Sequence, residues 1–198
     1  IRDRNVTGVQ TCALPICMIR GAKQLADREG LDVNLYIAPW SDETRIKLKW
    51  DKTFDFAYSF FCPVMYDVDN IRAMHDTSRN TCLWVAFSER HDEIVDMLSD
   101  HFFGRDAFPW HDKMEESLAA IHEMGHNVKV TYKTVPETEV MSLDKAVEYF
   151  TMRLHNNGWG TMDAMKEEIR NLIEPLAVNG EITNSTVDKV AWVTWSVQ

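Results

Sequence analysis

The stretch from Lys52 to Ser88, KTFDFAYSFFCPVMYDVDNIRAMHDTSRNTCLWVAFS, decides the fold. Its first part, FDFAYSFF at 54–61, is rich in aromatic residues and predicts a β-strand of the buried kind. Cys62 and Pro63 close this strand, because proline has no N–H to donate to a sheet. A rigid turn that carries aromatic rings and a thiol is therefore expected directly after the strand.

A helix and a second strand complete this stretch. The run VDNIRAMHDTSRN at 68–80 predicts a helix that Asp69 or Asn70 can cap, and TCLWVAFS at 81–88 predicts another buried strand. A helix between two strands is the usual connection between neighbouring parallel strands. The stretch therefore indicates an α/β unit.

The flanking sequence extends this pattern in both directions. The other predicted elements are the helix MIRGAKQLADREG ended by Gly30, the strand LDVNLYIAP, the helices RHDEIVDMLSDHFF and KMEESLAAIHEMG, the strand NVKVTYKTV, the helix SLDKAVEYFTMRLH capped by Ser142, the helix MDAMKEEIRNLIEPL and the strand DKVAWVTWSV. This order predicts an α/β fold with a mostly parallel sheet packed by helices. Ligands of such sheets bind beyond the carboxyl ends of the strands, which places the functional edge after Ile37, Phe61 and Ser88.

Composition excludes several classes of function. The 198 residues carry a net charge of −10 with no basic block, which disfavours binding to nucleic acid. No apolar stretch of about 20 residues indicates a membrane span. Cys62 and Cys82 lie in apolar runs and are too few to suggest a disulfide framework. We predict a cytoplasmic protein that acts on a small molecule, with the oligomeric state left open.

The N-terminal run resembles translated DNA from a sequencing library rather than native protein. VTGVQTCALPI at 6–16 can be written codon by codon as a common indexed sequencing adapter, and IRD at 1–3 matches the adapter segment before its index. We therefore expect residues 1–17 to be an adapter-derived artefact and junction. The native domain is expected to span 18–198, with its true beginning missing.

Three further sequence patterns have both a functional and a purely structural interpretation. HEMGH at 122–126 matches a zinc-protease motif, but Gly125 is expected to end the helix and move His126 off the shared face, so no metal site is predicted. Cys62 is a candidate nucleophile, or inert packing. The loop FFGRDAFPWHDK at 102–113 is either a lid over a site or a small satellite core.

The order of elements, together with KTFDFAYSFFCPVMYDVDNIRAMHDTSRNTCLWVAFS and DKVAWVTWSV, resembles a class I S-adenosylmethionine-dependent methyltransferase that lacks its first third. The resemblance implies an incomplete Rossmann-like sheet with helices on both faces and an antiparallel last strand. The family's glycine-rich cofactor loop would stand before Met18. The implied activity is methyl transfer from S-adenosylmethionine to a small molecule, with this shortened chain inactive.

The resemblance also implies roles for particular residues, although it identifies no catalytic base. Trp40 and Ser41 would flank the adenine of the cofactor, and Ser59, Phe60 and Phe61 would line its methionine side. The residues that would face the methyl acceptor are Cys62, Tyr66, Trp110 and His111. The alternative is a non-enzymatic α/β module that binds a ligand or partner, with a zinc hydrolase as a third possibility.

Overall fold

A computed structural model describes residues 6–10, 16–36, 38–104, 111–156 and 162–198. The strands are β1 (Val6–Gln10), β2 (Val33–Tyr36), β3 (Phe54–Phe60), β4 (Ser78–Asp92), β5 (His126–Ser142) and β6 (Glu181–Ser196). The helices are α1 (Ile16–Glu29), α2 (Asp42–Lys47), α3 (Val68–Thr77), α4 (Glu93–Phe103), α5 (His111–Met124), α6 (Leu143–Asn156) and α7 (Met162–Ile173), with 3₁₀ turns at Pro63–Tyr66 and Glu174–Leu176. The predicted order of elements is confirmed from α1 to β6, and α2 is an addition to it.

The main sheet has the strand order β3-β4-β6-β5. β3 and β4 are parallel, in a register that runs from Phe54 opposite Ser78 to Phe60 opposite Val85. β6 runs against β4, because Val197 N–H donates to Asn80 O near the start of β4 and Ser88 Oγ donates to Lys189 O further along it. The last strand is thus antiparallel, as expected, and the fold is an α/β sheet flanked by helices.

A separate two-stranded sheet pairs β1 with β2 in parallel. Val6–Gln10 therefore forms a β-strand in the structure, although the sequence of this run resembles translated adapter DNA. Strand pairing does not test where a sequence comes from, so the adapter origin and the domain start at Met18 stay predictions. Of the helices within the described ranges, none is both long and apolar enough to cross a membrane.

The chain divides into two compact units with separate hydrophobic cores. The first comprises Ile1–Ala86, Asp112–Thr131 and Ala191–Gln198, and the second comprises Phe87–His111 and Tyr132–Val190. The first core is built mainly from Ile71, Met74, Trp84, Ile121, Val193 and Trp195. The second is built mainly from Leu98, Val147, Phe150, Leu154, Ile169 and Ile182.

Local capping explains where several helices begin. Ser142 Oγ accepts from Lys145 N–H at 3.4 Å, which confirms the predicted cap of α6. α3 is capped two or three residues earlier than predicted, because Asp67 Oδ1 accepts from the backbone N–H groups of both Asp69 and Asn70. The residue directly before the helix thus provides the N-terminal cap that the sequence analysis had assigned to residues inside the helix.

The prediction of a buried β3 is wrong for one of its two faces. Phe56, Tyr58 and Phe60 are exposed by 48%, 56% and 45%, whereas Ala57, on the other face, packs against the first core. Within the described part of the chain β3 pairs only with β4, so it is an edge strand with one covered face. Aromatic residues on both faces favour a strand but do not show which face is covered.

Candidate functional site

The turn after β3 lies at the carboxyl end of the parallel pair β3–β4. Phe61 has φ 49°, a left-handed conformation that costs a bulky L-residue on the order of 1–3 kcal/mol. Its N–H donates to Val85 O at 2.8 Å, which fixes the turn to the neighbouring strand. Cys62 precedes a 3₁₀ turn that has Pro63 at its first position. Strained backbone of this kind is concentrated at functional sites, so this turn is the candidate site.

The three residues predicted to line the methionine side of a cofactor differ in exposure. The rings of Phe60 and Phe61 are exposed by 45% and 47%. Ser59 is half-buried and sits opposite Trp84 in the sheet register. The exposed rings could contact a ligand directly, while Ser59 lies on the opposite face of the strand from Phe60. Their roles toward a cofactor stay predictions.

Trp40 and Ser41 are joined to local structure through their polar atoms. The indole N–H of Trp40 donates to Asn70 O at 3.1 Å, and the ring packs against the first core. Ser41 is the N-cap of α2, where its Oγ accepts from Thr44 N–H at 3.2 Å. Both residues therefore have a structural role through their polar atoms. The predicted contact with adenine would be made by the face of the Trp40 ring.

The residues predicted to face the acceptor do not all lie at an open surface. Tyr66 is buried, with its ring edge-on to Trp84 at 5.6 Å and its carbonyl oxygen accepting from Ser117 Oγ at 3.2 Å. Trp110 lies outside the described residues, and His111 begins α5 with a side chain that also lies outside them. The structure thus places Tyr66 in the core, and the proposed acceptor contacts stay predictions.

The cysteines differ from the sequence interpretation in one respect. Cys62 is disulfide-bonded, whereas the sequence suggested an apolar, reduced thiol. Cys82 is free and fully buried, and burial raises the pKa of its thiol to about 12. A thiol with that pKa carries almost no thiolate at neutral pH and is a poor nucleophile.

The two histidines of the HEMGH pattern lie on different elements of the structure. α5 ends at Met124 and His126 belongs to β5, so the two histidines do not share a helical face, as the position of Gly125 predicted. A Cβ on Gly125 would lie 2.7 Å from Trp195 Cδ1 and 2.9 Å from Ile121 O. Among the described residues no group of three potential ligands could hold a metal ion.

Two polar arrangements were not predicted from the sequence. In the first unit, the Trp195 indole donates to His75 Nδ1 at 3.2 Å. In the second, Asp92 and Asp188 lie near Arg153 and Arg90, with shortest N–O distances of 3.3 Å for Asp92–Arg153 and 3.2 Å for Asp188–Arg90. The partners are far apart in sequence and carry no motif, so only the fold brings them together.

His75 is expected to make the stability of the first unit depend on pH. Burial lowers the pKa of His75 below 6.5, with a further lowering from Lys52 and His126 and an opposing effect from Asp76. Protons then bind the unfolded chain more readily, so the stability from neutral His75 is present above pH 6.5 and is lost as pH falls through the lower folded value. Urea unfolding at a series of pH values should show this loss.

The matched variant is His75→Gln, whose side-chain oxygen can still accept from Trp195 but does not titrate. Its unfolding free energy should fall less steeply below pH 6.5 than that of the unmodified chain. Equal slopes for the two proteins would contradict the assignment of the pH dependence to His75.

Comparisons with known proteins find structures of similar fold but no matching family. No protein-family model and no curated protein matches the chain. A proposed methyltransferase from Bacillus halodurans C-125 has 10% identity and a TM-score of 0.49, with 96% of this chain and 82% of that chain covered. The YcgJ protein from Bacillus subtilis has 14% identity and a TM-score of 0.44, with 94% and 81% covered.

A third similar structure is a proposed sarcosine dimethylglycine methyltransferase from Galdieria sulphuraria, at 9% identity and a TM-score of 0.40, with 96% of this chain and 70% of that chain covered. TM-scores below 0.5 at such identities carry no argument about activity. The fold assignment therefore rests on the strand order and directions of this chain.

Proposed function

We propose that the protein transfers a methyl group from S-adenosylmethionine to a small-molecule acceptor. The observation that supports this best is the strained turn at Phe61, which follows the parallel strand β3 and has the exposed rings of Phe60 and Phe61 beside it. Ligands of parallel α/β sheets bind at such turns. Aromatic faces also attract cations, and the sulfur of this cofactor carries a positive charge.

The described residues would supply one side of the cofactor site. Phe60 and Phe61 would contact the sulfonium and exclude water from it, and the Trp40 ring would contact adenine. When bound, S-adenosylmethionine would supply a methyl group activated by the sulfonium charge. Much of the rate enhancement would come from holding this methyl close to the acceptor in a dry site. The small acceptor, rather than nucleic acid, is favoured by the net charge of −10.

The resemblance implies that the glycine-rich cofactor loop stands before Met18. The test therefore compares two proteins that differ in this segment. One is the chain of 198 residues, and the other includes the genomic sequence upstream of the Met18 codon. Isothermal titration calorimetry should detect S-adenosylmethionine binding in the micromolar range only for the second. Failure of the longer protein to bind would overturn the proposed function, and tight binding by the chain of 198 residues would contradict the expectation that this chain is inactive.

Within the longer protein, Phe61→Ala should weaken cofactor binding roughly three- to tenfold, because it removes an aromatic contact to the sulfonium. Phe56→Ala is the matched control, since Phe56 is equally exposed but lies well before the turn. Equal weakening by both substitutions would mean that the turn has no special role in binding.

A further inference from the structure

Asn70 contacts both sides of the candidate site from the first turn of α3. Its backbone oxygen accepts from the Trp40 indole N–H at 3.1 Å. Its side-chain Nδ2 donates to the carbonyl oxygen of Val64, in the 3₁₀ turn Pro63–Tyr66, at 3.0 Å. One half-buried residue thus joins the ring proposed to contact adenine to the turn that follows Phe61.

The two ends of this turn are fixed to β4 and α5, and Asn70 fixes its middle. At the start, Phe61 N–H donates to Val85 O at 2.8 Å. At the end, Ser117 Oγ donates to Tyr66 O at 3.2 Å. A left-handed backbone at a bulky residue persists only where the surrounding contacts hold it. Each of these hydrogen bonds therefore helps to keep the Phe61 ring in place.

The helix itself does not need an asparagine at position 70. Alanine has a higher helix propensity than asparagine, and aspartate, which has nearly the same shape, suits the N-terminal turn of a helix. Neither side chain can donate a hydrogen bond to Val64 O at neutral pH, whereas the amide of asparagine can. The contribution of the Asn70 side chain is therefore to the turn rather than to α3.

We propose that Asn70 is a positioning residue for the methyl transfer, an inference that rests on the proposed function. It fixes the Phe61 turn, at the sulfonium, relative to the Trp40 ring, at adenine. Reacting groups have to be held to within about 0.5 Å of the productive geometry, and two sides of a site that share one support keep their spacing. Asn70 touches neither cofactor nor acceptor in this arrangement and acts through the groups that it holds.

Calorimetry on the protein extended upstream of Met18 tests this role with two probes. Adenosine reaches only the Trp40 side of the site, whereas S-adenosylmethionine reaches both sides. Asn70→Ala should weaken binding of S-adenosylmethionine about three- to tenfold and binding of adenosine less than about twofold, because the backbone oxygen at position 70 still accepts from Trp40. Asn70→Asp should have the same selective effect. The matched control is Asn80→Ala, which removes an exposed amide near Asp55 and should change neither affinity.

Hydrogen exchange on the chain of 198 residues tests the contact with the turn independently of any cofactor. Met65 N–H donates to Cys62 O and Asp67 N–H donates to Val64 O. Without the Asn70 amide the turn should open more often, so these two amides should exchange at least about threefold faster in both Asn70 variants. Asn80→Ala should leave both exchange rates unchanged.

A double variant shows whether Asn70 acts through the Phe61 ring. Asn70→Ala/Phe61→Ala should bind S-adenosylmethionine about as weakly as Phe61→Ala alone. Additive losses, equal weakening of both probes by Asn70→Ala, no weakening of either, or unchanged exchange in the turn would each overturn the role of Asn70 and leave the proposed function intact. An unmodified extended protein that does not bind S-adenosylmethionine would instead overturn the proposed function, and this inference with it.

Discussion

Replacing Arg153 by methionine is expected to lower the free energy of unfolding of the second unit by about 3–5 kcal/mol. The Asp92 side chain is 3% exposed, and Arg153 Nη1 lies 3.3 Å from its Oδ2. Without Arg153 a buried carboxylate loses its cationic partner, and removing one member of a buried pair is far more destabilising than removing both. Methionine retains the apolar bulk of the side chain, so packing changes little.

The surroundings of Arg153 make the loss larger than that of one pair. Its Nη1 also donates to Tyr149 Oη at 2.6 Å. Burial raises the pKa of the Asp188 carboxyl, an effect that Arg90 and Arg153 oppose. Arg153→Met therefore removes a stabilising charge from the buried Asp92 and the half-buried Asp188 together. Hydrogen exchange in peptides of 87–104 and 132–156 would localise the effect, alongside urea unfolding.

Two further variants distinguish the loss of a charge partner from a general disturbance of the structure. The double variant Arg153→Met/Asp92→Asn leaves the pair without charge and should recover part of the loss. Arg79→Met removes the exposed pair with Asp55, whose side chains are 50% and 74% exposed, and should cost no more than about 1 kcal/mol. Similar losses for Arg153→Met and Arg79→Met would contradict the importance of burial.

The elements could be predicted from the sequence because their signals are local. Hydrophobic periodicity predicted α4, with Ile94, Val95 and Leu98 all buried in the structure. β4 was predicted to end at Ser88 but continues to Asp92, since its polar end is held by tertiary partners, among them Lys189 on β6. Strand ends that depend on a distant neighbour leave no mark in the local sequence.

The position of the turn at the candidate site could be predicted from the sequence, but the exposure of the side chains around it could not. Cys62 and Pro63 marked the turn, and the left-handed Phe61 lies in it. The burial of Tyr66 and the exposure of Phe60 depend on which strand face is covered, which the alternation of residues alone does not say. The Ser41 cap has a recognisable local signal, whereas the pairing of Asp92 with Arg153 has none.

Replacing Trp84 by alanine is expected to lower the free energy of unfolding of the first unit by about 3–5 kcal/mol. Trp84 is fully buried on β4 and packs edge-on against Tyr66. The loss combines the transfer of a large ring out of the core with the cavity left at the centre of the unit. Urea unfolding followed by far-UV circular dichroism would measure it.

Phenylalanine at the same position should cost much less, below about 2 kcal/mol, because Trp84 Nε1 has no hydrogen-bond partner among the described residues. The substitution shortens the ring but also removes a buried donor that is already unsatisfied. Trp195→Phe is the matched comparison: Trp195 is equally buried, but its Nε1 donates to His75 Nδ1, so the variant leaves a half-buried acceptor without its donor. Trp195→Phe should therefore be the more destabilising of the two, by roughly 1 kcal/mol or more. Equal losses would mean that ring volume, and not hydrogen bonding, sets the stability of this core.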